Sequence, residues 1–121
     1  MRFVTIVNPQ SGPGYAPWWK PNEDYFREIP KLNKFKNVQT VGYLRADYCN
    51  RNVTDLERDI TEYAARPSRD KKPELAMEGI FVDEVVNHYS DRALEYMDRV
   101  DGFARNVAGF RGDRIVSEHA L

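Results

Sequence analysis

Two acidic residues side by side, Asp83 and Glu84, directly follow the apolar run Gly79-Ile80-Phe81-Val82. Burial disfavours the charged form of a carboxylate and raises its pKa, so acids ending a buried strand are costly unless paired or used, and a raised pKa is what a general acid needs. Neighbouring strand residues face opposite ways, so only one of the two is expected to point squarely into a cleft, leaving the other to orient it or reach along it. The plain alternative is an acid-rich helix start. His88, four residues beyond Glu84, raises a metal reading with Asp83 and Glu84, but a second histidine at ligand spacing is absent, which weighs against it.

Other polar groups follow other apolar runs. After Phe3-Val4-Thr5-Ile6-Val7 comes Asn8-Pro9-Gln10-Ser11-Gly12-Pro13-Gly14, which lacks the Gly-Lys-Ser/Thr of a phosphate loop and the strand-turn-helix of a nucleophile elbow. Asn8 can equally form an Asx-turn there. After the second run come Tyr43, Arg45, Asp47 and Tyr48, a mixture of stacking and hydrogen-bonding groups that suits a sugar; an Arg45–Asp47 pair stitching loops together is the competing account. Gly42, inside that run, signals a close backbone approach. Trp18 and Trp19 could stack on sugar rings or form a packed lid. Cys49 has no base beside it and reads as a small, semi-buried loop residue, and His119 as a surface residue.

The elements that must position these groups can be read from periodicity. Strand-sized apolar runs occupy residues 3–7, 38–44, 79–82 and 114–116, starting 35, 41 and 35 residues apart, the size of a β-loop-α-loop unit. Runs apolar on both faces suit a parallel sheet covered by helices. A first helix is expected over residues 22–35, capped by Asn22 and kinked or divided at Pro30. A second starts with the capping box Thr54-Asp55-Leu56-Glu57, continues through Ile60 and Tyr63, and should stop before Pro67, with residues 67–74 forming a surface loop. A third carries Ala93, Met97, Val100, Ala104 and Val107 on one stripe. The βαβαβαβ order allows an open doubly wound sheet or part of a closed eight-stranded barrel, and in both the site lies at the carboxyl ends of the strands. Pattern alone favours the open sheet.

The 121 residues carry a formal net charge of −1, with charges of both signs interspersed. No basic face argues for nucleic acid, no apolar span of membrane-crossing length occurs, and the short apolar start does not have the regions of a signal peptide. One cysteine leaves the redox compartment open. A single domain with a modest core is expected.

The segments around Asn8-Pro9-Gln10-Ser11-Gly12-Pro13-Gly14, Gly42-Tyr43-Leu44-Arg45 with Tyr48 and Arg51, Asp59-Ile60 with Tyr63, and Gly79-Ile80-Phe81-Val82-Asp83-Glu84 together resemble the spherulation-specific family 4 pattern, in order and over about two-thirds of the chain. The resemblance implies a (β/α)₈ barrel and a glycoside hydrolase of the kind that cleaves polymers of α-1,4-linked galactosamine or N-acetylgalactosamine. By position it implies Asp83 and Glu84 as the catalytic acids and Asn8, Ser11, Tyr43 and Tyr48 as cleft-lining residues, with polysaccharide as partner and no metal or organic cofactor. It also implies barrel strands before and after those seen here, with a further acid among the later ones. The chain is therefore expected to form a truncated α/β barrel of about four parallel strands and three crossover helices, with impaired hydrolysis and open sheet edges that invite self-association. Family members are often secreted or anchored, whereas this sequence shows no such segment.

Overall fold

The computed structural model describes residues 3–9, 12–13, 23–85, 90–111 and 115–120; side chains at 23–26 and 115–120 lie outside the description. The elements alternate: β1 (Phe3–Val7), α1 (Glu23–Asn33), β2 (Val38–Arg45), α2 (Val53–Arg69), a 3₁₀ turn (Pro73–Leu75), β3 (Gly79–Val85), α3 (Asp91–Asn106) and β4 (Ile115–Ala120). The strands form one parallel sheet in the order β1-β2-β3-β4. That order contains no reversal, so these strands lack the switch point around which a doubly wound sheet builds its ligand crevice.

Both prolines expected to break helices lie inside them. Pro30 sits within α1, which runs on to Asn33, and Pro67 lies within α2, which ends at Arg69 and not before the proline. Burial outweighs propensity at Pro67: Arg66 and Pro67 are both buried, and the last-turn carbonyls find other donors, with Asp70 N–H bonding Arg66 O and Lys72 N–H bonding Pro67 O. The start of α2 also differs from the expected capping box. Asn52 is the cap, its Oδ1 accepting from the Thr54 N–H at 3.1 Å and from the Thr54 hydroxyl at 2.9 Å. The expected Asn22 cap of α1 falls outside the described residues.

The helices cover one face of the sheet. Leu44, Ala46, Ile80 and Val82 pack there with Leu56, Ile60 and Tyr63 of α2 and Val100 and Ala104 of α3. Gly42 belongs to this face, and a Cβ added to it would meet the Tyr63 ring at 2.8 Å, so the strand needs glycine to let the ring lie against its backbone. By strand alternation the other face carries Val4, Ile6, Val41, Tyr43, Arg45, Phe81 and Asp83, none of which joins the clusters formed with the helices. Val4 is 50% and Ile6 45% exposed.

Candidate active site

Register fixes the height of each polar group. Val7 pairs with Gly42, Tyr43 with Phe81 and Arg45 with Asp83. Asn8, one residue beyond Val7, therefore shares the carboxyl rim with Tyr43 and the two acids; its side chain is exposed.

Strict alternation would send Asp83 and Glu84 to opposite faces. The ladder between β3 and β4 instead shifts register between Val82 and Val85, and Glu84 takes a left-handed backbone with φ of 58°. Val82 and Val85 then both pack in the helix-side core, while the two acids between them both reach groups on the opposite face of β2. The expectation that strand alternation turns the two carboxylates opposite ways is corrected by this bulge.

Asp83 is held at both oxygens. The Tyr43 hydroxyl donates to Oδ2 at 2.7 Å, and the Glu84 backbone N–H donates to Oδ1 at 2.9 Å. Burial first, then the bond to Asp83 and the charges of Asp83 and Glu84, push the Tyr43 hydroxyl up to about 12, with Arg45 opposing. Tyr43 is itself braced: the Tyr63 hydroxyl, arriving through the space left by Gly42, donates to the Tyr43 carbonyl at 2.8 Å. The Tyr43 ring lies 6.4 Å from that of Phe81, tilted by 30°, and the two form an aromatic step beside Asp83.

Glu84 is held differently. Arg45 Nε donates to its Oε2 at 2.8 Å, and Arg45 Nη2 also stands 3.5 Å from Asp47 Oδ1. Glu84, then Asp47, hold the Arg45 guanidinium above its ordinary value. Arg45 is half exposed, so its ion pairs are weak and exchangeable, unlike the contacts on Asp83.

The β2–α2 loop is knitted to this rim by backbone bonds, Ala46 N–H to Asp83 O at 3.0 Å and Tyr48 N–H to Glu84 O at 2.6 Å. Asp47, Tyr48 and Cys49 are consecutive left-handed residues, with φ of 51°, 55° and 66°. Non-glycine residues adopt this conformation at a cost and keep it where the surroundings enforce it, which is common at functional rims. Here Arg51 supplies part of that enforcement: its Nη1 donates to Arg45 O at 3.1 Å, its Nη2 lies 2.8 Å from buried Asp59, and its own carbonyl accepts from the Tyr96 hydroxyl at 2.8 Å. Burial raises Asp59 despite Arg51 beside it. Cys49 is buried, and its carbonyl accepts from Arg92 Nη2 at 3.0 Å.

Of the expected site residues, Tyr43, Arg45, Asp47, Asp83 and Glu84 converge in space. Tyr48 joins through its backbone while its side chain is exposed, and Asn8 shares the rim. Ser11, Trp18, Trp19 and His88 lie outside the described residues, as does the His119 side chain. Among the described residues no group of three His, Cys, Asp or Glu side chains is placed to hold a metal ion. Phe81, Tyr63 and Arg51 were not among the expected site residues. Tyr63 could have been found as the large residue that Gly42 must accommodate, and Phe81 as the register partner of Tyr43.

Residues 1–119 match the model of spherulation-specific family 4. The chain is 31% identical over 110 residues to Spherulin-4 of Physarum polycephalum, covering 91% of the chain and 29% of that protein. The crystal structure of Aspergillus clavatus Sph3 in complex with GalNAc superposes with a TM-score of 0.91 at 37% identity, covering 97% of the chain and 46% of Sph3. The chain thus spans less than half the length of either relative. With the motif-bearing strand ends, the parallel sheet and the family match over residues 1–119 all in agreement, the chain belongs to spherulation-specific family 4.

Proposed function

We propose that this chain forms the Asp83–Glu84 half of the cleft of a (β/α)₈-barrel glycoside hydrolase acting on galactosamine- or N-acetylgalactosamine-containing polysaccharide. The bulge at Glu84 carries the reading, because it is the feature that sets two adjacent carboxylates on one sheet face beside the Tyr43–Phe81 aromatic step. The sequential parallel order of four strands is that of one half of such a barrel. The GalNAc bound to Sph3 supports the sugar class.

Adjacent carboxylates do not flank a sugar as the two acids of ordinary glycosidases do, since those stand about 5–9.5 Å apart on either side of the scissile bond. They suit substrate-assisted cleavage, in which one protonates the leaving oxygen while the other steadies the acetamido group whose carbonyl oxygen attacks the anomeric carbon. Asn8, Ser11, Tyr43, Tyr48 and the Arg45–Asp47 pair are proposed to line the cleft. The four described strands supply one half of such a barrel, so the chain assayed by itself is expected to position substrate poorly and turn over slowly.

Purified chain incubated with α-1,4-linked galactosaminan and its N-acetylated form, beside Asp83→Asn and Glu84→Gln, tests this. Binding of the oligomers with little cleavage is the expected result. Robust cleavage lost in either variant would show that four strands suffice for catalysis, and failure to bind either polymer would remove the carbohydrate reading. Binding that survives both substitutions unchanged would favour a second reading, a non-catalytic carbohydrate-binding domain using the aromatic step.

A further inference from the structure

We propose that Tyr43 is a positioning residue for Asp83: its hydroxyl and the Glu84 backbone N–H grip both oxygens of one carboxylate and keep that carboxylate ionised and fixed, leaving Glu84 as the member of the pair free to exchange partners. The proposal rests on the glycosidase reading only for the purpose of the fixed anion; the grip itself stands on the geometry.

Three observations carry it. First, the hydroxyl of Tyr43 is spent on Asp83 Oδ2 at 2.7 Å, so in this state it is a support for the acid and not a free sugar donor. Second, the support is anchored from behind. Tyr63 is almost fully buried, its hydroxyl fixes the Tyr43 carbonyl, and Gly42 is the residue that admits its ring. Third, the left-handed turn at Glu84 does two things at once, aiming the Glu84 N–H at Asp83 Oδ1 and swinging the Glu84 carboxylate to Arg45. Two donors facing two oxygens favour the charged form of a carboxylate. Tyr43 and Arg45 from β2 and Glu84 on its own strand stand beside Asp83, with Asp47 reaching the group through Arg45. Asp83 then becomes the group that steadies the acetamido N–H as an anion, while the Glu84 carboxylate stays held, among the described residues, by the half-exposed Arg45 alone.

The readout is the ¹³C carboxyl titration of Asp83 in the isolated chain, assigned by its loss in Asp83→Asn. In Tyr43→Phe, which keeps the ring against Phe81, Asp83 is expected to titrate about one pH unit higher than in the parent, because a donor to the charged form has gone. An unchanged titration would overturn the proposal. Should Tyr43→Phe fail to fold, the converse measurement decides: the Tyr43 ¹³Cζ titration, at about 12 in the parent, should fall towards the ordinary tyrosine value in Asp83→Asn, and its staying put overturns the proposal equally. If amino-sugar oligomers fail to bind while Asp83 shifts as expected, the sugar reading falls and the grip stands. If Tyr43→Phe weakens binding with no shift at Asp83, Tyr43 is a sugar contact and the grip falls.

Discussion

A methyl group at Gly42 would sit 2.8 Å from three atoms of the Tyr63 ring, closer than carbon atoms approach in folded proteins. The ring cannot easily give way, because it is buried and its hydroxyl is bonded to the Tyr43 carbonyl. Gly42→Ala is therefore expected to destabilise the chain by about 1–3 kcal/mol, the usual cost of overpacking, read as a lowered urea midpoint with unchanged slope. The same substitution should loosen Tyr43 and, through it, Asp83. At this scale the sequence was informative about identity and silent about geometry. The types Tyr43, Arg45, Asp47, Asp83 and Glu84 at strand ends were visible as a candidate site, but the pairing was not. Arg45 bonds Glu84 across the strands at 2.8 Å and reaches Asp47 only at 3.5 Å, so the local pair expected from sequence is the lesser partner.

Elements follow their patterns except where tertiary contacts override them. β1, β2 and β3 start where their apolar runs start, but β2 extends to Arg45 and β3 to Val85, because the ladder continues past the apolar residues, and β4 runs over Ile115–Ala120, longer than the expected residues 114–116. Helix α3 begins after Ser90, whose hydroxyl oxygen accepts from the Ala93 N–H, as a cap residue should. Helix α2 departs from its sequence pattern at both ends, and its C-terminal end shows why. Arg66 is wholly buried; its Nε donates to Glu62 at 3.2 Å, another nitrogen donates to the Pro13 carbonyl, and its guanidinium lies 5.8 Å from the centre of the Tyr63 ring. No periodicity shows that a charged residue just before a proline will be sunk into the interior, since one of its partners, the Pro13 carbonyl, comes from a loop more than fifty positions away. Arg66→Met should cost about 3 kcal/mol, near the low end for breaking a buried ion pair because Arg69 continues to neutralise Glu62 at 2.7 Å. A denaturation curve measures it, and a loss below about 1 kcal/mol would mean that the burial of Arg66 contributes little beyond packing.

At the scale of the whole molecule, the sheet has one face insulated by helices and another on which Val4 and Ile6 are about half exposed, with Phe3 51% exposed on the same strand. Among the described residues β1 and β4 each pair on one side only. Apolar side chains beside an unpaired strand edge promote association, so the isolated chain is expected to show an average mass that rises with concentration in sedimentation equilibrium. Ile6→Lys should reduce that rise without disturbing the far-ultraviolet circular dichroism, since the side chain is not part of the helix-side core. A mass that stays monomeric at all concentrations would show that the face is protected in a way the described residues do not reveal. The left-handed turn at Glu84 has a consequence of another kind, for selection. A non-glycine residue held there stores about 1 kcal/mol or more of strain, and glycine would release it. A screen of random variants for survival on heating should thus recover Glu84→Gly, with a melting temperature a few degrees above the parent and the second carboxylate gone. Heat tolerance and the role proposed for Glu84 would then pull this one position in opposite directions, and only a screen scored on both would keep the acid.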